Sequence, residues 1–464
     1  MAAAARQRLD VVVVGAGVMG SAAAHALVSS IGSAASGRQC TVALLEQHEF
    51  GHKHGSSHGH SRIIRPVYSQ EHYASLMPEA YQRWGALDAE SESMLYTRTG
   101  GLYWGPAGFV DPSGDSLHTH RATCDALGVE YEMLSAVDVA ERWPPLDTPG
   151  SATWEGLFSP DCGILHADAC VAALQAAATA GGAELHERCA VTEIEGGGEG
   201  EPVSVRTADG RRFVADACIV CAGPWAGELL RRATGLNVAL QPTQNTVAYW
   251  PAEAGHEAAF EADNFPVLIS DCELGAFYSI PSASEDEKGT WKFDRHGGPA
   301  LAADELSDKD PARGAAEVAE SATWIDRHVR WVGTEPVSVE PCVYTMTRDE
   351  DFIIDQIPTR PKIAVVSTPC PCLLPASRSA LSPCMCRAQG AGFSGHGFKL
   401  APVVGRILAQ LALGGQAAVD AETRAHLHHW AITRPAVAEL ATAADFPYVT
   451  QQREGPVEGG RQKL

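Results

Sequence analysis

The chain is poor in positive charge. Its 464 residues carry 35 Lys and Arg against 57 Asp and Glu, a formal net charge of -22 at pH 7. Such a surplus of acid argues against nucleic acid or anionic membrane surfaces as partners. It leaves room for an anionic small substrate, because a local cationic pocket outweighs a distant, screened field. Cysteine is sparse for a secreted scaffold: thirteen are scattered along the chain, and a reducing compartment is expected. A cleavable leader is missing too, since the eight residues MAAAARQR before the first expected strand are too few to hold an apolar core. The uncharged span Val11 to Val28 is interrupted by glycines, a serine and a histidine, which argues against a membrane helix.

What is present begins at Asp10 to Gly20, DVVVVGAGVMG. Four consecutive valines suit a strand buried on both faces in a parallel sheet. Gly15, Gly17 and Gly20 follow as G-x-G-x-x-G, and SAAAHALV continues with helix formers. Between a strand and a helix this motif reads as dinucleotide binding. Gly15 makes the tight turn, Gly17 lets backbone N–H groups approach a pyrophosphate, and Gly20 lets helix and strand pack closely. The helix N-terminus then faces the anion. A second apolar run, Thr41 to Leu45, ends in Glu46, placed to accept from a ribose hydroxyl. Its separation from the glycines exceeds the usual ~20 residues, and the Gly/Ser/Ala-rich stretch Ser29 to Gly37 accounts for the surplus. FAD and NAD are not distinguished by this stretch.

The length suggests about three domain-sized units or two large interleaved ones. After Glu46 comes HKHGSSHGHSRIIRPVY, with His52, His54, His58 and His60 beside Arg62 and Arg65. Gly/Ser/His loops with arginines suit phosphates or a flavin ring better than a metal, and no metal is expected here. Tyr73 to Leu87 reads as a helix, Leu95 to Gly105 as a hairpin with a Gly-Gly turn, and His118 to Leu127 and Ala167 to Gly181 as helices. Cys218 to Cys221 form a buried strand ending in Gly223, the position where doubly wound sheets place ligands. From about Ala233 to Val339, NTVAYWP, FPVLIS, AFYSIPS and GTWKFDRH alternate as strands of an antiparallel sheet. GAGFSGHGFK (Gly390 to Lys399) returns to glycine-rich chemistry before a helix from Leu400 to Leu413.

Taken together, GAGVMG, GSSHGHSRIIR, TRTGGLYWGP, ERWPPL, PCVYT, DEDFIID, GFSGHGFK and ITRP make the chain resemble the monomeric sarcosine oxidase family, which includes the sarcosine, pipecolate and N-methyltryptophan oxidases. The resemblance implies an α/β fold with a Rossmann-like, glutathione-reductase-like FAD-binding domain and an interleaved antiparallel-sheet substrate domain. It implies an FAD-dependent oxidase of secondary amino acids that forms an imine and hydrogen peroxide. A dehydrogenase of the same fold, or a flavin-binding pseudoenzyme, stands as the alternative. The FAD-binding domain is expected over 9–90, 150–232 and 340–435, the substrate domain over 91–149 and 233–339, and a tail over 436–464. A monomer is expected.

Position by position, the resemblance implies that Cys342 holds the flavin ring by a thioether and that Arg65 and Lys399 clamp the substrate carboxylate. An Arg fork and a compact Lys charge suit that task independently. Arg62 and His58 are placed beside the flavin, Lys292 and His296 (K-x-x-x-H) at its faces, and Tyr278 and Tyr344 in the substrate cavity. A buried ammonium at Lys292 would stabilise superoxide as it forms from oxygen. Val191, Gly223 and Gly395 join Gly15, Gly17, Gly20 and Glu46 as cofactor-binding residues. For each, a structural role is the alternative: a buried thiol for Cys342, solvated polar groups for Lys292 and His296, core aromatics for the tyrosines.

One segment departs from the family. STPCPCLLPASRSALSPCMCRAQG intervenes before GFSGHGFK, with Cys370, Cys372, Cys384 and Cys386 at a spacing that is not a standard zinc pattern. Residues 366–389 read as translated intron: Val366-Ser367 and Ala388-Gln389 can be encoded by typical intron ends, and their removal restores the family join. The last residues, Gln462-Lys463-Leu464, share two positions with the peroxisomal S-K-L signal. A peroxisome is therefore expected, with the cytoplasm as alternative.

Overall fold

The four valines sit at the centre of the first sheet. In the computed structural model the strand Leu9–Val14 pairs in parallel with Val42–Leu45 on one side and with the second half of Arg212–Val220 on the other. Val11, Val12 and Val13 are fully buried, as a strand covered on both faces requires. Glu184–His186 extends the parallel set beyond Val42–Leu45, and Arg360–Ser367 extends it beyond Arg212–Val220. Antiparallel strands complete eight: Val191–Gly196 and Val203–Thr207 fold back onto Arg212–Val220, and Ile353–Ile357 pairs with Arg360–Ser367. The structure describes residues 8–367 and 393–434, apart from 30, 33–36, 112–113, 148–152, 307–308 and 350, together with 437, 449 and 450.

Helices Val18–Val28 and Phe393–Gly414 lie against each other over this sheet. Their approach is close enough that a Cβ on Gly405 would lie 2.5 Å from the Ala22 carbonyl carbon. Part of the second helix is long and apolar enough to cross a membrane, yet Leu400, Ala401, Val403, Val404 and Ile407 are fully buried in the protein's own core.

A second sheet of eight strands takes the order Ser338–Met346, Gln241–Pro251, Thr290–Arg295, Gly275–Ile280, Val267–Cys272, Gly101–Pro106, Trp154–Ser159, Glu132–Ser135. Only the pairing of Val267–Cys272 with Gly101–Pro106 is parallel. Its core is aromatic where the first is aliphatic: Trp104, Trp250, Trp291, Trp324, Phe277 and Phe293 are at most 1% exposed. A third, three-stranded sheet joins Ser61–Ile64, Gly163–His166 and Tyr96–Arg98.

Several expectations change. The Gly-Gly hairpin is absent, because Tyr96–Arg98 belongs to the three-stranded sheet and Gly101–Pro106 to the large one. Gly100 (φ +70°) and Gly101 instead pass the chain between sheets, where a Cβ would lie 2.5 Å from Phe158 or Cys162. The helix expected over Tyr73 to Leu87 is two, Glu71–Ala74 and Met77–Glu90, with Pro78 in the first turn of the second, where its missing N–H is tolerated. The sheets also divide the chain differently at two expected boundaries, since Trp154–Ser159 and Ser338–Met346 both join the substrate sheet. Alternating apolar residues announce a strand without naming its partner. Val366 and Ser367 continue the strand Arg360–Ser367 against Ile354 and Ile353; the rest of the 366–389 segment and the Gln462-Lys463-Leu464 end lie outside the described residues.

Candidate cofactor and substrate site

The turn after the first strand is anchored at both flanks by backbone hydrogen bonds. Gly15 donates to the Leu45 carbonyl at 2.7 Å, and Cys221 donates to that of Val14 at 2.8 Å. Gly15 has φ +98°, and a Cβ there would lie 2.3 Å from the Cys221 carbonyl oxygen. At Gly20 it would lie 1.8 Å from the Gly15 carbonyl oxygen, so both positions exclude every other residue. Gly17 caps the helix in extended conformation. Ser57 closes over this end: its Oγ accepts from Val18 N at 3.0 Å and would meet a Gly17 Cβ at 2.9 Å. The motif thus has a partner that spacing alone does not reveal, a serine from the histidine loop.

Glu46 is buried at the next strand end. It accepts from Ala16 N and His48 N, each at 2.9 Å, and lies 3.3 Å from His52 Nε2. Burial works against its charge, but the hydrogen bonds from His52, Ala16 and His48 outweigh burial and hold the carboxyl below its ordinary range. A carboxylate has about four acceptor positions, which leaves it able to accept a ribose hydroxyl. Gly15, Gly17, Glu46, His58, Arg62, Val191, Gly223 and Tyr344 all line one cavity. Gly20 packs behind it, and Gly395 falls in helix Phe393–Gly414 with its surroundings outside the described residues.

The residues fit a dinucleotide with a flavin. Both ring nitrogens of His58 are buried without a hydrogen-bond partner among the described residues, as is Nε2 of His48. Burial, then the cations Lys309 and Arg62, push His58 down to about 3, so it is neutral at physiological pH. His58 lines the cavity, and an unpaired buried polar group there suits a polar ligand. Arg62 is braced there by the carbonyls of Ser56, His58 and Ser61, each at 2.8 Å.

A second group lies beyond Tyr344. On the strand Thr290–Arg295 alternate residues share a face, so Lys292 and Asp294 project together, and His296 follows. Lys292 and Asp294 are 5% and 2% exposed. Lys292 Nζ donates to the carbonyl and Oγ of Ser61 at 3.3 and 3.5 Å, joining this strand to the one carrying Arg62. Burial, then Arg62, lowers its proton affinity, while Asp294 opposes the fall. Burial pushes Asp294 up to about 7 against the pull of Lys292 and the amide of Ala248. The His296 and Tyr344 rings are 5.7 Å apart, and burial with Arg295 and Arg65 holds His296 near 3. Cys342 and Tyr344, two apart on Ser338–Met346, also share a face, with Cys342 buried beside Lys292 and Tyr278. Asp294 was not foreseen; its alternation with Lys292 was the available signal.

Arg65 and Lys399 meet over one ring. The Arg65 guanidinium carbon is 4.4 Å and Lys399 Nζ 5.7 Å from the Tyr68 centroid. Arg65 Nη1 donates to the Val67 carbonyl at 2.9 Å and to the Tyr103 hydroxyl at 2.5 Å. Its Nε and Nη2 make no hydrogen bond, and it has no ion pair, among the described residues, leaving one edge of the fork for an anion. Lys399 is fully buried, and burial followed by Arg65 lowers its proton affinity strongly. Tyr68 and Tyr103, which build this clamp, were missed by sequence reasoning.

The profile of the FAD-dependent oxidoreductase family matches residues 10–411. A probable sarcosine oxidase of Arabidopsis thaliana is 35% identical over 411 residues, 88% of each chain. The chain belongs to the sarcosine oxidase family of FAD-dependent oxidoreductases. A peroxisomal sarcosine oxidase of Mus musculus is 32% identical over 87% of this chain and 92% of its own. The fold of this family member also matches the solved structure of NikD, described as an unusual amino acid oxidase essential for nikkomycin biosynthesis. That match has a TM-score of 0.73 and 23% identity over 94% of this chain and 99% of the other. In this flavoprotein the glycine turn, Glu46, His58, Arg62 and Gly223 line one cavity and could hold the cofactor.

Proposed function

We propose that the protein oxidises the C–N bond of a secondary amino acid of the sarcosine or L-pipecolate type to an imine, with O2 reduced to hydrogen peroxide. The observation that carries this reading is the pair of cations, half-buried Arg65 and fully buried Lys399, over the Tyr68 ring. Two positive charges over one ring repel each other, and a carboxylate placed between them offsets that repulsion. The carboxylate of an amino acid meets the open edge of the Arg65 fork, and the compact Lys399 charge adds to the hold. Tyr344 and Tyr278 close the apolar side, and neutral His296 stands as a hydrogen-bond partner that adds no charge. FAD, when bound, accepts the hydride equivalent and passes electrons to oxygen. Lys292 keeps a cation ready where negative charge develops on oxygen. The substrate amine must be neutral to react, so activity rises with pH until that amine is deprotonated.

In this reading Cys342 carries the flavin covalently, and its shared strand face with the cavity residue Tyr344 supports that role. The C-terminal Gln-Lys-Leu supports a peroxisomal address. The test is absorbance of the purified protein before and after acid precipitation, then anaerobic addition of sarcosine and of L-pipecolate. Yellow colour that stays in the pellet, and that one substrate bleaches, is the expected result. Flavin that no secondary amino acid bleaches would overturn the substrate assignment, and peroxide formed only in trace beside an artificial acceptor would make the enzyme a dehydrogenase.

A further inference from the structure

Three side chains distant in sequence converge away from the cofactor cavity. His72 stands on the short helix Glu71–Ala74, Asp351 just before the strand Ile353–Ile357, and His429 in the single turn Leu427–Trp430. Each offers one ligand atom, and these atoms all lie within 4.8 Å of one another. His72 Nε2 is 2.9 Å from Asp351 Oδ1, with the two side chains 12% and 23% exposed. None of the three lines the cofactor cavity.

The carboxylate is oriented by its surroundings. Asp351 Oδ1 accepts the Tyr73 hydroxyl at 2.9 Å, the kind of outer partner that steadies a ligand. Arg434 donates to the carbonyls of Asp351 and Phe352 at 2.7 and 2.9 Å, fixing the backbone beneath it. The His72 and His429 rings lie 4.3 Å apart at 10°, and His428 stands 3.9 Å from His429. An ordinary ion pair needs one imidazole; a second beside the same carboxylate is surplus, and the two repel if both are protonated. Two imidazoles and one carboxylate suit zinc-like ions, whereas magnesium and calcium take oxygen donors.

We propose that His72, Asp351 and His429 bind one borderline divalent transition-metal ion, which fastens the turn Leu427–Trp430 to the approach to the strand Ile353–Ile357. The three ligands are brought together only by folding, so the ion binds the native state and raises its stability. Nothing in this proposal depends on the substrate.

The experiment uses the flavin-loaded protein, stripped with EDTA, dialysed, and titrated with zinc at pH 7.5 against a chromophoric chelator, with thermal unfolding in parallel. One zinc per chain and a Tm that climbs with free zinc are expected. His429→Ala and, independently, His72→Phe weaken binding by about ten- to a hundredfold, while the neighbouring His428→Ala does not and magnesium does not compete. Flavin absorbance and far-UV circular dichroism establish that each variant is folded. Less than one ion per chain, wild-type affinity in both folded ligand variants, or displacement by magnesium would overturn the assignment.

Discussion

The glycine cradle and the wall beyond Tyr344 are both buried, yet they are built on opposite principles. Around the first strand, valines and alanines pack tightly, and the turn's polar groups are met by neighbouring backbone and by Glu46 and Ser57. Beyond Tyr344 the buried groups include Lys292, Asp294 and Lys399, with Arg65 half-buried near Lys399. Shape makes the cradle, and any bulk added there is excluded by carbonyl oxygens. The wall stores electrostatic tension that a ligand relieves, at the expense of the protein's own stability.

The largest effect should come from filling the cradle. Gly20→Val places a Cβ against the Gly15 carbonyl oxygen and should destabilise by more than about 3 kcal/mol. Loss of soluble, yellow protein on expression checks it. Next, Arg65→Gln should lower kcat/KM by about 2–5 kcal/mol in transition-state stabilisation, or roughly thirtyfold to several thousandfold, while flavin content stays normal.

Lys399→Met sharpens the contrast. Exchanging a buried ammonium for a similar apolar volume should leave stability unchanged or raise it by about 1–4 kcal/mol, with KM for the amino acid rising. A Tm well below wild type would show that the wall is structural in the way the cradle is.

The smallest effect concerns His296. Its folded pKa near 3 lies below the ordinary 6.5, so below pH 6.5 the unfolded chain binds a proton that the native protein refuses. This group's contribution therefore falls as pH drops from 6.5 toward 3, by up to about 1.4 kcal/mol per unit. His296→Gln should gain on wild type in Tm between pH 6.5 and 4.5. A constant difference across that range would mean the imidazole is not held neutral.

Much of the cradle was legible because its chemistry is local. The valines, three glycines and Glu46 occupy one strand-turn-helix-strand unit; Val14, Gly15, Gly17 and Glu46 line one cavity, and Gly20 packs behind. The clamp was reached through resemblance, since Arg65 and Lys399 are far apart in sequence and no spacing relates them. Tyr68, Tyr103 and Asp294 escaped because an aromatic or an alternating acid reads equally well as core or surface. The supposed hairpin at Gly100-Gly101 failed for a similar reason: two glycines signal a turn, but here they meet Phe158 and Cys162 from another strand.

By itself, then, the order of residues determined the nucleotide turn, its flanking strand and helix, and the family. These follow from interactions between near neighbours: backbone conformation, burial of a continuous apolar run, and close approach at glycine. Only tertiary structure decided which strands share a sheet, which two cations face one ring, and which histidines meet Asp351. Those depend on desolvation and distance between segments that touch only after the chain has folded.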